Sequence, residues 1–180
     1  MRKNKAFSAL YNLILSALFA ALIAVFTAFV SIKTGINDGY LHFGDSLVYL
    51  AACMLPLPYA PAAAAVGGAL ADVLGGAAVW APFSAVIKAL NTLPFAFVYA
   101  CRLTKSPQRI LNKATAWMPL ASGLITILGY FLVEGLLYSF PTAAVSCLAS
   151  LVQAAGSAVL YYAAAAALDR VQIKKRLHLP

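Results

Sequence analysis

The chain has 180 residues, of which 63% are hydrophobic and only 10% charged. Soluble domains carry about 25% charged residues, so this deficit excludes a water-facing surface over most of the molecule and points to a chain solvated by lipid. The net charge of +8 would suit nucleic acid. The basic residues, however, gather in three short clusters with no aromatic reading surface between them, and no nucleic-acid partner is expected.

Arg2, Lys3 and Lys5 precede the first apolar run, residues 9–31. A run of that length spans roughly 34 Å as a helix, enough to cross the hydrocarbon core and longer than the apolar part of a signal peptide. It is read as a retained first helix. A turn-rich polar loop, Ile32–Leu41, follows and contains Asn37, Asp38 and Gly39. Further helices are expected at about 43–55, 59–78, 82–101, 117–139 and 142–168. Leu-Pro-Leu-Pro at 55–58 separates the second from the third, since proline cannot continue a helix. Trp80-Ala81-Pro82 opens the fourth and Phe140-Pro141 the sixth. The whole is expected to be one all-α membrane domain, 1–180, with six transmembrane helices.

Arg102, Lys105, Arg109 and Lys113 form the second basic cluster, and Arg170, Lys174, Lys175 and Arg176 the third. Cytoplasmic flanks collect Lys and Arg. All three clusters are therefore expected on the cytoplasmic side, together with both termini. This parity requires four crossings and then two; two and two would also satisfy it if 43–78 were re-entrant. The apolar length favours six. Cys53, Cys101 and Cys147 lie far apart in apolar runs and are read as small buried hydrophobes.

This topology puts the ionisable residues of the helices in their outer halves. Asp72 falls roughly 10 Å and Lys88 roughly 9 Å below the outer surface; Glu134 is near the outer end of the fifth helix, and Asp45 starts the second. A charge at the middle of a membrane helix costs about 2.5–3.5 kcal/mol, so a partner or a role is expected, with Asp72 or Glu134 as a partner for Lys88. Ser84, Lys88 and Asn91 share one helical face, as do Tyr130, Glu134 and Tyr138, and Ser146, Ser150, Gln153 and Ser157. With Asp72 they suggest a polar cavity open to the outside, walled by Trp80, Tyr130 and Tyr138. The competing reading is that such stripes only join helices, at about 0.6 kcal/mol per interhelical hydrogen bond. No metal-site, nucleophile-elbow or Walker pattern occurs; no enzyme activity, metal or cofactor is expected.

The stretches Gly39–Asp45, Gly67–Asp72 and Ala81–Lys88, in this order, resemble the substrate-binding S components of energy-coupling factor (ECF) vitamin transporters. The alanine-rich segment Ala17–Ala24, Gly129–Glu134, and Gln153 with Gly156 extend the likeness over nearly the whole chain. The resemblance implies a six-helix capsule in the bacterial cytoplasmic membrane that binds a small vitamin or precursor from outside. It implies a transmembrane T component and two cytoplasmic ATPases as partners. Ala17 and Ala21, with Ala20 and Ala24, would meet the T component, and the loop with Asn37, Asp38, His42 and Asp45 would form a lid or rim. The His-x-Gly-Asp and Ile-Lys motifs are most similar to the riboflavin-type and hydroxymethylpyrimidine-type branches. Asp72, Trp80, Ser84, Lys88, Asn91, Tyr130, Glu134, Tyr138, Ser150 and Gln153 are the expected ligand contacts. The rival reading from another class is an assembly subunit with no ligand of its own; an intramembrane enzyme is a third.

Overall fold

The computed structural model describes residues 5–33, 40–101, 108–177 and 179. In chain order these form α1 (Lys5–Phe29), β1 (Ser31–Lys33), β2 (Tyr40–His42), α2 (Asp45–Met54), α3 (Tyr59–Leu74), α4 (Ala81–Ala100), α5 (Met118–Leu137), α6 (Phe140–Arg170) and α7 (Ile173–Arg176), with single 3₁₀ turns before α4 and α5. Four helical stretches are long and apolar enough to cross a membrane: those containing α1, α4, α5 and α6. Neither α2 nor α3 reaches that length.

Local chemistry sets the helix ends. Asp45 places a carboxylate in the first turn of α2, where the helix dipole favours it. Leu55 is extended because Pro56 follows it, and α2 stops there. Pro82, Pro119 and Pro141 each occupy the first turn of a helix, where the missing N–H costs nothing. Ser139 caps α6 by accepting from the Thr142 N–H.

Two expectations need correction. The third helix was expected to run to 78 but ends at Leu74. Gly76 takes a φ of +82°, the Ala77 N–H donates to Asp72 O at 2.8 Å and the Gly76 N–H to Val73 O at 3.3 Å. This is the left-handed glycine closure of a helix C-terminus, and it puts Asp72 in the last turn rather than well inside. The second correction concerns the loop expected at Ile32–Leu41. Its ends pair as a short antiparallel ribbon, Ser31 opposite His42 and Lys33 opposite Tyr40, so the chain leaves α1 as a strand.

The core is built around α2. Every residue of α2 except Leu47 is buried, and α1, α3, α4 and α6 all pack on it. A short helix is tolerated in this position because protein rather than lipid surrounds it. Contacts along α2 fix the directions of its neighbours. Asp45 meets Lys88 and Gln153; Tyr49 stacks on Phe95 at 5.3 Å and meets Tyr161 edge-on at 5.9 Å; the Cys53 Sγ lies 3.6 Å from the Tyr161 hydroxyl. Residue numbers rise together, so α2, α4 and α6 run parallel. The bundle thus has a His42 end and a Lys174 end.

Large aliphatic side chains cover the exterior. On α5, Leu120, Leu124, Leu128, Leu132 and Leu136 form an exposed stripe with a four-residue repeat, which suits lipid chains. On the inside, α1 and α3 approach closely at Gly67. A Cβ there would stand 2.8 Å from the Ala20 carbonyl oxygen and 2.8 Å from the Ile23 Cβ. Neither atom can move without separating the helices. Gly67→Val is expected to destabilise the fold by about 1–3 kcal/mol, read as a lower midpoint of thermal unfolding in detergent; an unchanged midpoint would show that the α1–α3 seam is not rigid.

Candidate functional site

The chemistry of the His42 end starts from one buried ion pair. The Lys88 Nζ donates to Asp45 Oδ1 at 2.5 Å, with both side chains almost wholly excluded from solvent. The second carboxylate oxygen, Oδ2, accepts from Gln153 Nε2 at 3.1 Å. Three helices, α2, α4 and α6, therefore share one charge pair. The Lys88 ammonium also lies 5.4 Å from the centre of the Tyr130 ring, within cation–π range. A Cβ on Gly68 would stand 2.7 Å from Lys88 Cγ; the glycine on α3 makes room for the lysine stem. Asp72, one turn further along α3, is buried and acts electrostatically on Lys88.

Aromatic and hydroxyl groups surround the pair. The Ser84 and Tyr130 hydroxyls are 2.9 Å apart. Trp80 stacks on Tyr138 with centroids 6.1 Å apart and planes at 25°, and tilts against Tyr130 at 6.0 Å. Asn91 lies below Lys88 on α4. Its Nδ2 donates to Thr126 Oγ1 at 2.8 Å, and its backbone carbonyl accepts from Ser122 Oγ at 2.8 Å. Among the described residues, Trp80 Nε1, the Asn91 side-chain carbonyl oxygen and Ser157 Oγ are buried with no hydrogen-bond partner. Groups of this kind cost about 1–3 kcal/mol each unless something outside the chain satisfies them.

The ribbon is fastened to this site from two sides. A Cβ on Gly44 would collide with Thr27 Oγ1 on α1, and one on Gly156 would collide with the Phe43 ring, so the phenyl group sits directly on the backbone of α6. His42 is buried, and its Nδ1 accepts from the Gly44 N–H at 3.1 Å. Burial first, and then the Lys88 charge, push its pKa from 6.5 down to about 3. The imidazole is thus neutral with its proton on Nε2. An unfolded chain binds a proton here as the pH falls below 6.5 and the folded one does not, so this contribution to stability is complete above pH 6.5 and is lost toward about pH 3.

The structure redistributes the residues singled out in the sequence. The expected partners of Lys88 were Asp72 or Glu134; its partner is Asp45, which was expected at the rim but is fully buried. The reason is that α2 is the central helix and begins at the depth of Lys88. Glu134 instead accepts from Ser146 Oγ at 2.6 Å, between α5 and α6. Asp72, Trp80, Ser84, Lys88, Asn91, Glu134 and Gln153 are buried; Tyr130 and Ser150 are half-buried and Tyr138 is exposed. Asn37 and Asp38 lie outside the described residues. The four alanines singled out on α1 divide into two pairs: Ala20 and Ala24 are buried within the chain, while Ala17 and Ala21 face outward.

Sequence reasoning passed over Thr27, Phe43, Ser122 and Thr126. Ser122 and Thr126 were within reach, because they continue the four-residue repeat of Tyr130, Glu134 and Tyr138 on α5. Phe43 and Thr27 carried no such signal; their roles depend on glycines in helices far away in sequence.

A protein from Pyrococcus woesei, described as an uncharacterized protein in gap 3'region, is 34% identical over 116 residues, covering 64% of this chain and 73% of that protein. The family model described as ECF-type riboflavin transporter, S component, matches residues 8–170, a span from the first turn of α1 to the end of α6. On that match the chain belongs to the ECF S component family, the membrane-embedded substrate-binding subunits of vitamin transporters.

Proposed function

We propose that this chain captures a small, flat, partly polar vitamin or precursor, riboflavin- or pyrimidine-like, from outside the cell at its His42 end, and delivers it across the bacterial cytoplasmic membrane with a T component and two ATPases. One observation carries the reading. A desolvated Lys88–Asp45–Gln153 cluster is bordered by Trp80, Tyr130 and Tyr138, while a buried indole N–H and a buried amide oxygen have no partner among the described residues. A heteroaromatic ring with acceptors and donors on its edge would stack on the aromatic groups and satisfy both atoms. The ligand contacts would be Asp72, Trp80, Ser84, Lys88, Asn91, Tyr130, Glu134, Tyr138, Ser150 and Gln153.

In this reading the chain crosses the membrane six times, α2 and α3 forming the short pair. Arg109, Lys113, Arg170, Lys175 and Arg176 are exposed toward the Lys174 end, which would be cytoplasmic by the positive-inside rule. Arg2, Lys3, Arg102 and Lys105, the remaining members counted for that rule, lie outside the described residues, as does the Lys5 side chain. Ala17 and Ala21 would meet the T component, since of the four alanines at 17–24 they are the two left on the outer surface. The alternative is an assembly subunit whose polar cluster only holds helices together.

Paired substitutions separate these readings. Lys88→Met leaves Asp45 buried without its cation and is expected to cost about 3–5 kcal/mol. Asp45→Asn with Lys88→Met removes both charges and should recover most of that loss. Riboflavin and hydroxymethylpyrimidine are then tested for thermal stabilisation. A true ligand stabilises the natural chain by about 2.7 kcal/mol at a hundredfold excess over its dissociation constant and does nothing for the double variant. Equal stabilisation of both proteins excludes the charge pair from the ligand site, and no stabilisation by either compound favours the assembly subunit.

Two further outcomes are expected. Ala17→Leu and Ala21→Leu should abolish uptake in cells while leaving ligand-induced stabilisation intact, because added bulk blocks close helix approach; normal uptake by both would remove α1 as the coupling face. Cys101 is exposed at the end of α4. In a Cys147→Ser background a membrane-impermeant maleimide should label it in inside-out vesicles and not in intact cells; labelling of intact cells would reverse the orientation.

A further inference from the structure

Pro94 lies inside α4, between the candidate site and the Lys174 end. A proline in a helix interior has no N–H to offer the carbonyl four residues back, here that of Leu90, and its ring presses on that carbonyl. Helices bend at such positions. Pro94 therefore divides α4 into two parts. The outer part, Ala81–Leu90, carries Ser84 and Lys88 and follows directly on Trp80. The inner part begins at Phe95, which stacks on Tyr49 at 5.3 Å and meets Tyr161 edge-on at 5.4 Å. The core thus fixes the inner part, and the break sets the direction of the outer one.

Hydroxyl groups serve the backbone around the break. Asn91, Thr92, Ser122 and Thr126 are wholly excluded from solvent. Thr92 Oγ1 donates to Ala89 O at 2.7 Å. From α5, Ser122 Oγ donates to Asn91 O at 2.8 Å, and Thr126 Oγ1 accepts from Asn91 Nδ2 at 2.8 Å. An interrupted helix is tolerated in a membrane where neighbouring side chains satisfy its freed backbone groups. Further out, α5 continues to receive α4. A Cβ on Gly129 would stand 2.9 Å from Ile87 Cγ1, and the Ser84 and Tyr130 hydroxyls are 2.9 Å apart.

We propose that Pro94 and Ser122 are positioning residues for the candidate site. The proline turns the outer part of α4 toward α5, and Ser122 holds it there by the Asn91 carbonyl. Trp80, Ser84 and Lys88 are brought in this way to Tyr130 and Asp45. Proline is the least favourable residue in a helix interior, so its presence opposes the stability of α4 itself. An unbroken α4 would be the better helix and would carry its outer end away from α5. Trp80 lies roughly 21 Å from Pro94 along the helix, far enough for a small change of angle to displace the indole.

The emission of Trp80 tests this in the full-length chain, with Trp117→Phe removing the other tryptophan. Trp80 is buried beside Tyr130 and Tyr138. Pro94→Ala should leave the midpoint of thermal unfolding in detergent equal or higher, because the Leu90 carbonyl regains a partner. It should nevertheless shift Trp80 emission to longer wavelength and increase its quenching by acrylamide. Ser122→Ala keeps the proline and frees the Asn91 carbonyl; it should move the Trp80 signal in the same direction, and it carries the test if Pro94→Ala does not fold. Phe97→Ala, at an exposed position of the inner part, should leave Trp80 unchanged. A residue that served only stability would lower the midpoint when replaced. Unchanged emission and quenching in either variant, or a shift in folded Pro94→Ala that comes with a lower midpoint, would overturn the proposal. No ligand enters the measurement, so its failure is distinct from failure of the ligand reading.

Discussion

The Lys88–Asp45 pair is the constraint around which the bundle is arranged. Two charges withdrawn from water are tolerable only if each is met by the other and by further polar groups. Gln153 takes the second carboxylate oxygen, the N-terminus of α2 favours the negative charge, and the Tyr130 ring lies within reach of the ammonium. Meeting these demands brings α2, α4 and α6 together in parallel at one depth. It also explains glycine at position 68, where any side chain would displace the lysine stem.

The remainder of the packing follows from that centre. Because α2 is consumed by internal contacts, it need not be long, and the exterior is left to the other long helices with their exposed apolar side chains. The ribbon after α1 is held by contacts in which glycine on one element accepts a bulky group from another: Thr27 at Gly44, and Phe43 at Gly156. These contacts couple the first helix and the sixth to the same few residues that flank the ion pair. A shift of α1 or of the ribbon cannot be indifferent to the arrangement at His42 and Asp45.

The two ends of the bundle hold charge differently. At the His42 end a cation is enclosed with an anion and the imidazole beside it stays neutral. At the Lys174 end a lysine is enclosed over an aromatic ring while the nearby carboxylate serves backbone N–H groups. The first arrangement favours permanence, since breaking the pair leaves a buried ion.

Much of this molecule could be read from the sequence because membrane solvation acts on local composition. Apolar run length gave the long helices, prolines marked their starts, and the four-residue repeats of α4, α5 and α6 identified faces that do turn inward at Lys88, Glu134 and Gln153. The end of α3 was legible only in part: Gly75-Gly76 signals a stop, but alanines on both sides made the helix look longer. Pairing was not legible. Asp72, Glu134 and Asp45 are equally good partners for Lys88 as residue types, and so are Ala17 and Ala20 as surface positions. Tertiary structure decided among them by placing α2 in the centre, which brings Asp45 to Lys88, and by pressing α3 onto α1 at Gly67, which buries Ala20 and Ala24 and leaves Ala17 and Ala21 outside. The sequence by itself determined the helical periodicity that turns Lys88, Glu134 and Gln153 inward; which inward residues meet, and which alanines of α1 stay outside, is a property of helix order and depth, and only the folded bundle sets those.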